Sequence, residues 1–309
     1  MAYCFTPEET VPEGVRRIAL EQIDKAEAAL TGGAQSGGRE RHKAVHDARK
    51  GCKKIRALLR LARGGLGNAY VRENGFFRGA QRRLSAVRDA SVMVETLDKL
   101  VGRQGSDGAG GFVQVRGVLV ERCERASAEH LEQERTTEEV AGMLREVRGR
   151  VETWTLRSPG FKVLRPGLHK VYRDGAKRLE ALGDAPSAHD FHDWRKQAKY
   201  LSYHLKLLTP VWPGTVGALA GEFGELGSLL GDEHDLAVLC CMLEADEQAF
   251  GGPVLVRPLA GMIDRRRSEL QAASRMLGAR LYLDKPKTFM TRMEAWWDLW
   301  KSEPVSRAA

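Results

Sequence analysis

Along most of this chain, apolar residues recur every three or four positions and almost never alternate with polar ones. That period predicts helices throughout and no sheet, and glycine and proline punctuate them. A first helix is expected at 12–30, entered at Pro12, which suits a first helical turn, and closed by the glycine-rich stretch 32–38. The next run, 41–63, stops at Gly64-Gly65, and a third occupies 69–101. Residues 102–111, with five glycines, read as a flexible loop. Helix resumes at 112–134, and Thr136-Thr137-Glu138-Glu139 has the acidic first turn of a fresh N-terminus. After Ser158-Pro159-Gly160 the pattern starts again, with helices expected at 166–182, 187–208, 215–249, 253–283 and 286–300. The fold class is therefore all-α.

The second half repeats the first. His46-Asp47-Ala48-Arg49-Lys50-Gly51-Cys52-Lys53 recurs as His192-Asp193-Trp194-Arg195-Lys196-Gln197-Ala198-Lys199. Leu84-Ser85-Ala86-Val87-Arg88-Asp89 recurs as Leu230-Gly231-Asp232-Glu233-His234-Asp235, at the same offset of 146 residues. Two matches in one register imply a duplicated helical unit with a break near residue 155.

At about 100° per residue, His46, Arg49, Lys50, Lys53, Arg56 and Arg60 share about one third of a helix circumference. Ala48, Cys52, Ile55, Leu58, Leu59 and Ala62 cover the other side. In the second copy His192, Arg195, Lys196, Lys199, Tyr203 and Lys206 share one face, and Trp194, Ala198, Leu201, Leu205 and Leu208 the other. A merely solvated face usually interleaves Glu with Lys for i,i+4 pairing. Between Arg41 and Arg63 the only acid is Asp47, off the basic face. Like charges repeated at that spacing repel, which points to an anion that relieves them. Arg offers a planar fork to two oxygens and Lys a mobile point charge, so phosphate suits both. A histidine beside phosphate is drawn towards its charged form.

Other features are weighed against blander readings. His42 with His46, and His189 with His192, have chelating spacings, but basic neighbours oppose a cation and no acid completes a site. Asp89 and Asp235 are either carboxylates orienting the basic residues or helix caps and surface acids. Trp296, Trp297 and Trp300 read as helix-packing core. The net charge of +8 agrees with a polyanionic partner without locating it. Five cysteines without a Cys-x-x-Cys pair suggest reduced thiols in a cytoplasmic protein. No signal peptide or membrane span is expected. No phosphate-binding glycine loop, nucleophile elbow or acidic metal cluster is present in the sequence, so no catalytic residue, metal or cofactor is expected.

At these residues the sequence resembles the CHAD family, the conserved-histidine α-helical domains. The resemblance rests on His46-x-x-Arg49-x-x-x-Lys53-Lys54-x-Arg56, on His192-x-x-Arg195-Lys196-x-x-Lys199-x-x-x-Tyr203, on the Arg88-Asp89 and His234-Asp235 turns, and on Leu281-Tyr282-Leu283-Asp284-Lys285-Pro286-Lys287. It implies one domain over 5–302, made of repeats 5–154 and 155–302. These would form two four-helix bundles related by a pseudo-twofold axis, with the basic helices lining a central cavity. It also implies non-enzymatic binding of inorganic polyphosphate, with association to polyphosphate granules, through His46, Arg49, Lys53, Arg56, His192, Arg195, Lys196 and Lys199. Lys50, Arg60, Arg88, Tyr203 and Lys206 join them from the helical wheels and the turn. Ser202 at the position equivalent to Arg56, and His234 at that of Arg88, suggest a weaker grip in the second half. The rivals are nucleic-acid binding, disfavoured because Tyr203 is the only aromatic on either basic face, and a metal-dependent phosphohydrolase, disfavoured by the missing carboxylates.

Overall fold

The computed structural model describes residues 3–33, 38–84, 86–102, 112–128, 130–184 and 186–303. Among these residues the chain is all-α, without strands. In order the helices are α1 (Val11–Gly33), α2 (Gly38–Leu61), the single turn α3 (Arg63–Leu66), α4 (Asn68–Arg83), α5 (Ala86–Gly102), α6 (Val113–Ala128) and α7 (His130–Glu152). There follow α8 (Arg165–Glu180), α9 (Ala188–Leu208), α10 (Pro213–Ala245), α11 (Pro253–Leu281) and α12 (Pro286–Ser302). No helix among the described residues is long and apolar enough to cross a membrane.

Local chemistry sets many of these starts. Proline stands in the first turn of α8, α10, α11 and α12, where its missing N–H costs nothing. Ser187 and Asp190 form a capping box that opens α9. Three expected boundaries are corrected. The single helix at 69–101 is two helices, α4 and α5, whereas its counterpart α10 runs unbroken. Gly64-Gly65 does not end a helix in open loop but lies inside α3, where Gly65 is buried against Val163 and Leu156. Thr136-Thr137-Glu138-Glu139 lies within α7, with Thr137 buried, and is not an N-terminus. The loop expected at 102–111 lies almost wholly outside the described residues.

The wheel positions assigned to the interior are buried. Ala48, Cys52, Ile55, Leu58 and Leu59 of α2, Ala62 just after it, and Trp194, Ala198, Leu201, Leu205 and Leu208 of α9, are all inaccessible to solvent. Trp297 and Trp300 are core as well, and Trp296 meets Trp212 edge to face at 5.1 Å. Two buried clusters result. The larger joins α1, α2, α4 and α7 to α8, α9, α12 and the first half of α10. The smaller joins α5 and α6 to the second half of α10 and to α11. Each cluster therefore draws side chains from both sequence repeats. The N-terminal segment adds another tie across the repeats: Phe5 N–H donates to the Leu207 carbonyl of α9 at 3.0 Å.

Close helix approaches fix where α2 and α9 lie. A Cβ at Gly167 of α8 would collide with the carbonyl oxygens of Arg60 and Leu61 at the end of α2. A Cβ at Gly278 of α11 would collide with the Trp194 ring of α9. Buried ion pairs fasten the outer helices. Glu73 of α4, fully buried, accepts from Arg72 at 2.7 Å and from Arg150 of α7 at 3.3 and 3.2 Å. Glu233 of α10, also fully buried, accepts on Oε1 from Arg267 of α11 at 3.1 and 2.9 Å and from Gln271 at 3.0 Å.

Removing one partner of such a pair leaves a buried, uncompensated charge. Arg267→Met is expected to destabilise the fold by about 3 kcal/mol in chemical denaturation. A loss below about 1 kcal/mol would show that the pair does not hold α11 on α10.

Candidate anion-binding site

The solvent-facing sides of α2 and α9 come together where the two helices cross. The crossing is pinned by His204 of α9, fully buried, whose Nε2–H donates to the Ala57 carbonyl of α2 at 2.9 Å. Burial holds this ring neutral, pushing its pKa down to about 3. Around the pin, cations from both helices crowd one seam. Lys53 still reaches solvent, yet desolvation and the charges of Arg49, Arg195, Lys199 and Arg56 push its pKa down to about 8. Lys199 is likewise held below its usual range, first by desolvation and then by Arg195 and Lys206. Arg56 is lowered by desolvation and by the neighbouring Arg60 and Arg78.

What orients these cations is largely neutral. Arg56 Nη1 donates to the Gln81 side-chain oxygen of α4 at 2.9 Å, and Arg60 Nη1 donates to the Asn74 side-chain oxygen at 2.7 Å. Arg49 reaches the Gln81 carbonyl at 3.5 Å. The Arg60 guanidinium also lies 4.1 Å from the centroid of the Tyr200 ring. In the second repeat, glycine replaces the amides. Lys199 lays its stem over Gly227, where a Cβ would come within 2.8 Å of its Cδ, and Arg195 lies over Gly231 at 3.4 Å. The Lys199 ammonium meets the Ser228 hydroxyl at 3.4 Å. Amide and hydroxyl oxygens hold a cation in place without cancelling its charge, so the seam is preorganised for an anion.

The remaining expected residues are distributed around this centre. His192, half-buried on α9, packs against His234 of α10 with ring centroids 4.4 Å apart. Desolvation, then His234, Lys196 and Arg195, push its pKa down to about 4. Without an anion this histidine is therefore neutral, and the charge expected of it needs a bound anion. Lys196 turns to Asp193 at 2.6 Å, a carboxylate that also takes Arg178 at 3.0 Å. Lys50 and Lys206 lie close enough to Lys54 to lower its pKa, and Lys206 also lowers that of Lys199. His46 is exposed on α2, and the side chain of Arg88 lies outside the described residues, as does that of Asp89. Asp235 is half-buried within the unbroken α10 and so caps nothing.

Sequence reasoning missed Tyr200, Asn74, Gln81 and Arg78. Tyr200 falls between the wheel's two faces, and neutral amides carry no charge pattern to notice. Among the C-terminal arginines, Arg266 pairs with Glu269 and Arg275 donates to the Leu182 and Gly183 carbonyls. With Arg267 held by Glu233, three of those arginines serve the scaffold. Among the described residues no group of three or more His, Cys, Asp or Glu could hold a metal ion. A cavity of about 120 Å³ lies between α5, α10 and α11, lined by Thr96, Lys99, Leu100, Asp232, Leu236, Arg266 and Leu270.

Fold and site together define an all-helical protein with a crowded basic seam. The CHAD domain profile matches residues 17–244. The chain belongs to the CHAD family. Among solved structures, it is similar to PptA from Streptomyces chartreusis, with a TM-score of 0.62 and 16% identity over 90% of this chain and 100% of that one. It is also similar to the CHAD domain from the plant Ricinus communis, with a TM-score of 0.63 and 18% identity over 93% of this chain and 96% of that one. Comparison with curated proteins gives no match.

A histidine whose folded pKa is depressed contributes stability above its unfolded value, and that contribution is lost as pH falls through the folded one. In the free protein the His192 ring is expected to titrate near pH 4 by NMR, and thermal stability to fall as pH drops from about 6.5 towards 4. A midpoint at or above about 6.5 would contradict the neutral His192–His234 pair.

Proposed function

We propose that this protein binds inorganic polyphosphate along the seam between α2 and α9, without turning it over, and that it associates with polyphosphate granules through that contact. The observation that carries the reading is the set of cations from both helices, Arg49, Lys53, Arg56, Arg195 and Lys199, crowded closely enough to depress the pKa of Lys53 and Lys199. Family membership supports it, because polyphosphate binding is a known property of CHAD domains. Guanidinium forks and mobile ammonium groups match the closely spaced oxygens of a linear phosphate chain. Such a chain gains affinity in two ways: it relieves repulsion already built into the fold, and it releases its own condensed counterions.

Nucleic acid offers the same phosphate charge but seeks aromatic faces for its bases. Three tyrosines lie at the seam, more than the wheel showed, yet each has a face taken by a cation. Arg60 covers Tyr200, Lys54 covers Tyr3 and Lys206 covers Tyr203. This favours polyphosphate over a single strand.

Calorimetric titration with long-chain polyphosphate tests the proposal, using wild type, the double charge reversal Arg49→Glu/Arg195→Glu, and single-stranded DNA as competitor. Wild-type affinity should fall about a hundredfold or more between about 50 and 200 mM salt. The double variant, checked for folding by circular dichroism, should lose about a hundredfold at fixed salt. Binding left intact in the variant, displacement by DNA at equal phosphate, or hydrolysis with added Mg²⁺, Mn²⁺ or Zn²⁺ would overturn it.

A further inference from the structure

Beyond the crossing, a second group of cations is built on tyrosine. The Lys54 ammonium rests 4.9 Å from the centroid of the Tyr3 ring, and the Lys206 ammonium 5.7 Å from that of Tyr203. The two rings meet edge to face at 6.3 Å. Tyr3 O–H also donates to the Lys54 backbone carbonyl at 2.8 Å, which ties the N-terminal segment to α2 at this point. Tyrosine is doing here what Asn74 and Gln81 do at the arginines. A ring face attracts an ammonium and leaves its full charge in place.

The cluster is electrostatically continuous with the seam. Lys54 is held below its usual range by desolvation first, then by Lys50, Lys25 and Lys206. Lys206 in turn acts on Lys199, and Lys199 on Lys53. No carboxylate figures among the groups that perturb Lys54. By contrast Lys196, at the equivalent of Lys50, is neutralised by Asp193. Positive charges therefore run from Arg56 and Arg195, through Lys53 and Lys199, to Lys206, Lys54 and Lys50. Lys50 and Arg60 alone are about 15 Å apart along α2.

Resting on the function proposed above, we infer that the lysines seated on Tyr3 and Tyr203 form a second phosphate subsite, engaged only by a linear chain long enough to reach it from the arginines of α2 and α9. Short polyphosphates then occupy the arginine end alone, and a long chain gains the lysine end without a second encounter. Linking two weak subsites through one ligand raises affinity in the manner of multivalent binding. The inference thus names a basis for chain-length preference.

The test compares tripolyphosphate with a long-chain polyphosphate preparation on wild type and on Lys54→Gln/Lys206→Gln. Both lysines reach solvent, so the variant should fold, and an unchanged melting temperature checks that it does. Long chains have more registers to bind in, so the readout is how the variant changes the ratio of the two affinities, not the wild-type ratio itself. The variant should weaken long-chain binding about tenfold or more, and tripolyphosphate by far less. Equal losses for both ligands would reduce the lysines to a diffuse electrostatic field and overturn the subsite, as would no loss for either. Wild type that binds neither ligand would instead bring down the polyphosphate reading, and this inference with it. A second pair, Tyr3→Leu/Tyr203→Leu, keeps both charges and removes their seats. It should reduce the long-chain preference in the same direction, and an unaltered ratio would show that the rings do not position the lysines.

Discussion

Repulsion among like charges at the crossing of α2 and α9 is the constraint around which the molecule is arranged. Left to themselves, these cations would separate, because Arg49, Arg195, Lys199 and Arg56 lower the tendency of Lys53 to stay charged, and Arg195 lowers that of Lys199. They remain together because the opposite faces of the same helices are anchored. Trp194, Leu201 and Leu205 on one helix, and Ile55, Leu58 and Leu59 on the other, are fully buried. Burying a side chain of this size contributes about 1.5–3 kcal/mol, so a handful of them outweighs the repulsion between partly solvated cations.

Fully buried carboxylates fasten the outer helices. Glu73 fastens α7 to α4, and Glu233 fastens α11 to α10. Both acids are fully buried and paired with arginine. At the seam, by contrast, the orienting groups are the amides of Asn74 and Gln81, the glycine faces at Gly227 and Gly231, and the rings of Tyr3, Tyr200 and Tyr203. Neutral groups of this kind hold the cations in place without cancelling their charge. The His192–His234 pair sits at the edge of this field as a neutral neighbour, ready to become cationic when an anion arrives.

Much of this was legible in the sequence. Helical period separated the buried and basic faces of α2 and α9 residue by residue, because amphipathic burial depends on position along one helix. Less legible were features set by contacts between distant segments. The apolar period runs through Leu84-Ser85-Ala86-Val87, so nothing local announces the division of α4 from α5. That division lets α5 turn with α6 onto α10 and α11. Tyr3 is 200 residues from Tyr203 in the chain and meets it only through the N-terminal segment that runs along α9. Asn74 and Gln81, polar but uncharged, show their role only once α4 lies against α2.

The most direct test of a repulsive seam relieved by an anion is a count of protons. Lys53 has its pKa pushed down to about 8 in the free protein, and a polyanion alongside should restore it towards the ordinary lysine value of about 10.4. Calorimetric titration of polyphosphate at about pH 9, in two buffers of different ionisation enthalpy, reads the protons taken up on binding. Uptake that approaches one proton per site, and disappears in Lys53→Gln, is the predicted result. Binding with no proton uptake, or with uptake unaffected by that substitution, would mean that the cations of α2 and α9 are not strained against one another and that the anion does not sit between them.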